Sequence, residues 1–199
     1  PFEFPDGRID LHDEKKATEA NAVKYADYAI GQFFARAQQS DYWQDTLFII
    51  VADHDIKVRG QSLVPVKNFH IPALILGADI EPRRFNTVCS QLDLPVTALS
   101  LMGVRTEHPM PGRDLCRSND SDPGRAIMQF EENQAYMRGN EVVILRPGKS
   151  PAHALYNFAD GKVQPADAPA NAEQIERRAL ANALLPHLLY QAQQYRLPD

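Results

Sequence analysis

Between Thr18 and Gln38 the apolar residues Val23, Ala26, Ile30, Phe33 or Phe34, and Ala37 recur at three- and four-residue steps. That period predicts an amphipathic helix packed on a sheet. After the turn-like QSDYWQD, the run Thr46 to Ala52 is short, β-rich and apolar on both faces. It reads as a central parallel strand covered by helices. Asp53, His54 and Asp55 stop this run, at its C-terminal end. A second apolar run, Ile71 to Leu76, is bounded by Pro72 and Gly77 and predicts the neighbouring strand. The stretch CSQLDLPVTALSLMGV predicts a helix with Asp93 as N-cap, Pro95 in its first turn and Gly103 at its close. Helix, strand, strand and helix together predict an α/β sandwich.

Past Met110 the pattern changes to PMPGRDLCRSNDSDPGR, rich in turn formers. QAYMRGNEVVILRPG then alternates as a β-hairpin does, turning at Arg138-Gly139-Asn140, and HALYNFADGKV predicts a second hairpin around Asp160-Gly161. From Asn171 to Tyr195, Ile175, Ala179, Leu184, Leu185, Leu188, Ala192 and Tyr195 are again at helical spacing, with Pro186 expected to kink or divide the helix. The expected organisation is residues 1–117 as the main α/β portion, and residues 118–199 as a small antiparallel β appendage with a C-terminal helix on the same domain.

Composition narrows the function classes. With 21 Lys plus Arg against 26 Asp plus Glu, a net charge of −5 leaves no face built to neutralise many phosphates, so nucleic acid is not an expected partner. No apolar run approaches the ~20 residues of a membrane helix. The chain begins at Pro1 in the loop-like PFEFPDGRID, which suggests a piece of a longer precursor. Cys89 and Cys116 match neither a disulfide framework nor a zinc motif and are expected as unpaired, partly buried thiols.

In open α/β sheets, ligands gather where strands end, because side chains there project into a crevice rather than the core. Asp53 and His54 hold that position, and a carboxylate beside an imidazole suits zinc or manganese. Taken alone, the pair is better explained by a turn-capping Asp and a half-exposed loop His, and only its context favours a metal. His70, just before the second strand, either faces the same crevice as a substrate contact or makes a structural hydrogen bond.

The ordered series NAVKYADYAIGQFF, DTLFIIVADHD, NFHIPALILG, SQLDLPVTALSLMGV and GRDL resembles the C-terminal half of the sulfatase-like branch of the alkaline phosphatase superfamily. Within that branch it is most similar to the lipoteichoic-acid-synthase-like phosphoglycerol transferases of bacteria. The opening PFEFPDGRID resembles the segment after a Ser-Asn-His element in those proteins, so the resemblance runs from Pro1 to about Leu115.

The resemblance implies that Asp53 and His54 ligate a divalent metal, manganese or zinc. The remaining ligands, an acid and a nucleophilic Thr, Ser or modified Cys, would come from the upstream half of the same domain. The metal would activate the nucleophile and neutralise charge on a phosphoryl or sulfuryl group of an anionic lipid or glycan substrate. By the same resemblance the parent is membrane-anchored and extracytoplasmic, on the periplasmic face of a bacterial inner membrane, and this chain alone would turn over little.

Two positions depart from the family pattern. Asp55 stands where relatives carry Gly, and Gly60-Gln61 stands where many carry Gly-Lys. Lys57 or Arg59 could replace the lost charge, which makes Lys57, Arg59, Gln61 and His70 the candidate substrate contacts. Alternative readings are a sulfatase, a phosphoethanolamine transferase, or a degenerate, non-catalytic binding domain. Of the remaining polar residues, Asp27 is expected on a solvated helix face, and Arg113 is expected to pair with Asp114.

Overall fold

The computed structural model describes residues 3–55, 62–77, 79–119 and 121–196. Two compact units divide the chain: Pro1–Phe48 with Ile75–Glu81, and Ile49–Leu74 with Pro82–Asp199.

The first unit is built on α1 (Glu19–Ala37), which begins where the Thr18 hydroxyl accepts the Asn21 N–H. Asn21 is fully buried and ties down the incoming segment. Its Oδ1 accepts from the His12 N–H at 2.6 Å, and its Nδ2 donates to the carbonyls of Asp13 and Lys15. A buried amide is tolerated because both of its ends are satisfied. Phe33, Phe34, Trp43 and Phe48 form an aromatic cluster with centroids 5.1 to 6.2 Å apart. The expected apolar stripe is only partly used, since Ala37 is buried while Val23, Ile30 and Phe33 remain exposed. Asp27 lies on the solvated face, as expected.

β1 (Phe48–Val51) and β2 (Ala73–Leu76) form a two-stranded sheet. Ala52, just past the end of β1, donates to the carbonyl of Pro72, just before β2. The end of one strand therefore meets the start of the other, and the pairing is antiparallel. This corrects the expectation of a central parallel strand: apolar residues on both faces signal burial, not strand direction, and no other strand flanks β1 among the described residues.

The second unit contains α2 (Asp93–Leu101), which ends at Gly103 in the left-handed region, φ +70°. The Val104 N–H reaches back to Leu99 O, the bond that glycine-terminated helices use. Next come β3 (Arg125–Phe130), β4 (Asn133–Arg138), β5 (Glu141–Arg146), β6 (Lys149–Asn157) and β7 (Lys162–Pro165) in one antiparallel meander. Both expected hairpins are present, between β4 and β5 and between β6 and β7. Alternation gives the sheet two apolar faces. Met128, Ala135, Met137, Val142, Ile144 and Ala154 pack under Val64 and Val66, which lie between the Asp-His-Asp triplet and β2. Tyr136 and Val143 on the opposite face pack on Ile175 and Ala179 of α3 (Ala172–Gln191).

α3 runs through Pro186 as one helix, so the proline does not divide it. Only its N-terminal part faces the sheet. Leu184, Leu188 and Tyr195, expected on the packed face, are exposed. His153 Nε2 on β6 meets Glu176 Oε1 at 2.8 Å and adds a polar tie to that contact.

Candidate metal centre

Asp53 and His54 leave β1 directly into solvent, their side chains 87% and 67% exposed. The His54 N–H donates to Asp53 Oδ1 at 2.9 Å, an Asx-type contact that turns the backbone out of the strand. His54 Nδ1 lies 2.7 Å from the Asp55 carbonyl oxygen. A carbonyl only accepts, so Nδ1 carries the proton and the Nε2 lone pair is left for a ligand. Metal-binding histidines usually have this arrangement, with the second ring nitrogen anchored on a backbone carbonyl or carboxylate.

The donor set fits a metal ion. His54 Nε2 and Asp53 Oδ2 stand 3.4 Å apart. Two ligands about 2.1 Å from a zinc ion at the tetrahedral angle stand about 3.4 Å apart. An octahedral ion with bonds of that length would bring neighbouring ligands to about 3.0 Å. Without a metal, the hydrogen bond to Asp55 O, helped by the Asp53 carboxylate, raises the His54 pKa above its ordinary 6.5. Two ligands do not close a site, and among the described residues no group of three or more His, Cys, Asp or Glu is placed to hold a metal.

Neighbouring segments hold this strand end. Asn68 Nδ2 donates to Asp55 Oδ2 at 2.9 Å, and Gln91 Nε2 donates to the Ala52 carbonyl at 3.2 Å. His70 closes the short 3₁₀ turn Val66–Phe69, its N–H donating to Lys67 O. The antiparallel pairing puts it at the same end of the two-stranded sheet as Asp53 and His54, exposed to solvent. Among the described residues no hydrogen bond or ion pair joins its ring to either. Lys57, Arg59 and Gln61 lie outside the described residues.

Behind Gln91 is a buried polar cluster. Asp93 is fully buried and is the first residue of α2; the N-cap position falls to Leu92, so Asp93 does not cap the helix as expected but binds groups outside it. Its carboxylate accepts from the Ser90 N–H, the Arg113 N–H and Arg125 Nη2, at 2.9, 2.8 and 3.0 Å. Arg125 carries no signal in the sequence, because it lies on β3, 32 residues along the chain from Asp93. Arg113 pairs with Asp122 at 2.9 Å, not with Asp114. Asp114 instead caps the 3₁₀ turn Leu115–Arg117 by accepting the Cys116 N–H. Cys89 and Cys116 are free thiols, as expected; Cys116 is partly buried, as also expected, whereas Cys89 is exposed.

The profile of the family described as Sulfatase matches residues 3–104, just over half of the chain. A crystal structure of a protein in the alkaline phosphatase superfamily from Vibrio parahaemolyticus superposes with a TM-score of 0.92 at 43% identity, covering 100% of this chain and 48% of that one. The alkaline-phosphatase-like α/β fold expected from sequence is therefore present. The crystal structure of Ps i-CgsB matches with a TM-score of 0.57 at 15% identity, over 93% of this chain and 44% of the other, and shares the fold alone. The chain thus spans about half the length of the solved structures it matches.

Proposed function

Because the chain belongs to the sulfatase family within the alkaline phosphatase superfamily, we propose that it supplies the Asp-His part of the metal centre of a phosphoglycerol transferase or related hydrolase. Members of the superfamily are typically dependent on divalent metal. The observation that carries the reading is the paired donors, Asp53 Oδ2 and His54 Nε2 at 3.4 Å, with the other ring nitrogen anchored on Asp55 O.

Manganese or zinc held there would supply Lewis acidity toward an anionic ester. Asp53 contributes negative charge that offsets the ion, and His54 holds its proton at Nδ1 so that Nε2 stays available. The nucleophile and a further acidic ligand would come from outside these 199 residues, and the substrate is a phosphodiester of lipid or glycan in an extracytoplasmic setting. Lys57, Arg59, Gln61 and His70 are the proposed contacts for its anionic group.

The test is turnover of a chromogenic phosphodiester and a chromogenic sulfate ester by the full-length parent, by its His54→Gln variant and by the 199-residue chain alone. Metal-dependent phosphodiester turnover by the parent, lost in His54→Gln and absent from the isolated chain, is expected. Preference for the sulfate ester would favour the sulfatase alternative. A second reading, a non-catalytic binding module, is favoured by Asp55 occupying the position where relatives carry Gly. Failure of the parent to bind metal at micromolar concentration would support it.

A further inference from the structure

The group that anchors His54 lies within the Asp-His-Asp triplet, and a side chain that holds the anchoring residue lies outside it. His54 Nδ1 is bonded to the backbone carbonyl of Asp55, so the imidazole can point only where that peptide unit lets it. The Asp55 carboxylate is held in turn by Asn68 Nδ2 at 2.9 Å. We propose that Asn68 is a positioning residue for the metal pair: by holding Asp55, it orients the carbonyl that anchors His54 and so aims Nε2 at the point shared with Asp53 Oδ2. This rests on the metal-centre reading above.

Asn68 can serve this way because its own segment is immobilised from below. Val64 is fully buried and Val66 nearly so, both inserted into the face of the five-stranded sheet, with Phe69 packed alongside. Asn133, at the start of β4, donates its Nδ2 to Leu63 O at 3.0 Å. The stem of Lys67 lies across the β6–β7 turn, where its Cδ comes within 2.6 Å of the place a Cβ on Gly161 would occupy. Five contacts on one short segment, at Leu63, Val64, Val66, Lys67 and Phe69, leave Asn68 little freedom relative to the sheet. The sheet thus serves as the rigid base to which the ligand strand end is referenced, the arrangement a metal site needs if its geometry is to be held to a few tenths of an ångström. Asp55 matters here for its carboxylate, which a glycine at that position could not offer to Asn68.

The test uses the intact protein with histidines labelled in the ring nitrogens. Long-range proton–nitrogen spectra of the metal-free protein report which nitrogen of His54 carries the proton, with His54→Gln assigning the signal. The wild type is expected to show the Nδ1–H form. Asn68→Ala is expected to shift His54 toward a mixture of tautomers and to weaken zinc or manganese binding by about 10-fold or more in calorimetric titration. Asp55→Asn keeps an acceptor oxygen for Asn68 and is expected to retain the wild-type tautomer, whereas Asp55→Ala is expected to reproduce Asn68→Ala and replaces it if that variant fails to fold. An unchanged tautomer and unchanged metal affinity in a folded Asn68→Ala or Asp55→Ala protein would overturn the proposal. If the wild type binds neither metal, the metal-centre reading fails, and the tautomer comparison still decides the role of Asn68 on its own.

Discussion

Replacing Asp93 by Ala removes the acceptor for three donors at once. The backbone N–H groups of Ser90 and Arg113 lose their partners, and the guanidinium of Arg125, whose side chain is only 9% exposed, loses its carboxylate and keeps only the Pro111 carbonyl at 3.2 Å. A buried donor left unsatisfied costs about 1–3 kcal/mol. Breaking a buried ion pair by deleting one partner costs about 3–5 kcal/mol, a figure that already contains the orphaned charge. The pair's figure covers Arg125 alone and the two backbone N–H groups add to it, so a loss of at least about 4 kcal/mol in unfolding free energy is expected. Arg125 Nη1 is buried with no protein partner even in the native pair, so the guanidinium's desolvation is only partly offset. The pair is therefore costly to break without being strongly stabilising, and Asp93→Ala combined with Arg125→Met is expected to recover part of the loss.

Urea unfolding of the wild type, both single variants and the double variant gives the coupling directly. A coupling of about 2 kcal/mol is expected for groups in direct contact. A loss below about 1 kcal/mol for Asp93→Ala, or an additive cycle, would refute the reasoning, since buried hydrogen-bonded charges cannot be that cheap to orphan. The cluster bears on function through Gln91, which lies between Ser90 and Asp93 and bonds the carbonyl just before Asp53.

Further outcomes follow from the same contacts. In metal-free protein the His54 imidazole is expected to titrate above 6.5, because the Asp55 carbonyl and the Asp53 carboxylate favour the protonated ring. The sign is that of a raised group: its contribution to stability is complete below 6.5 and lost as pH rises through the folded value. Metal, which needs the neutral ring, is expected to bind more tightly as pH rises across that interval, and an NMR midpoint at or below 6.5 would contradict this. Gly124→Ala is expected to cost about 3 kcal/mol or more in urea unfolding, because the backbone is left-handed and a Cβ would stand 1.9 Å from Val88 O. Gly148→Ala has the same hand but open space, and about 1 kcal/mol is expected, so equal effects would refute the steric argument. Cys116 has its thiol pKa raised by burial and by Asp114, and alkylation at mildly alkaline pH in a Cys89→Ser background is expected to quicken in Asp114→Asn.

The parts of this protein legible in its sequence are those set by local chemistry. Helical spacing placed α1 to within a residue at each end, glycine closed α2, and Gly139 and Gly161 marked two hairpins at left-handed turns. The turn between β3 and β4 is illegible because Glu131 adopts φ +53° with no glycine or proline to announce it, and without that turn the pattern does not show a five-stranded meander. Strand direction for β1 was illegible for a different reason: an apolar run reports burial and carries no sign for its neighbour. At the candidate site, Asp53 and His54 were visible as polar residues closing an apolar strand. Asn68, Gln91 and Arg125 were not, because each acts on a partner 13 or more residues away along the chain.

The most direct measurement is the metal content of the intact protein after equilibrium dialysis against micromolar manganese or zinc, compared among wild type, Asp53→Asn and His54→Gln. The account predicts bound metal in the wild type and its loss in both variants with the fold intact by circular dichroism. Wild-type metal content in His54→Gln would contradict it.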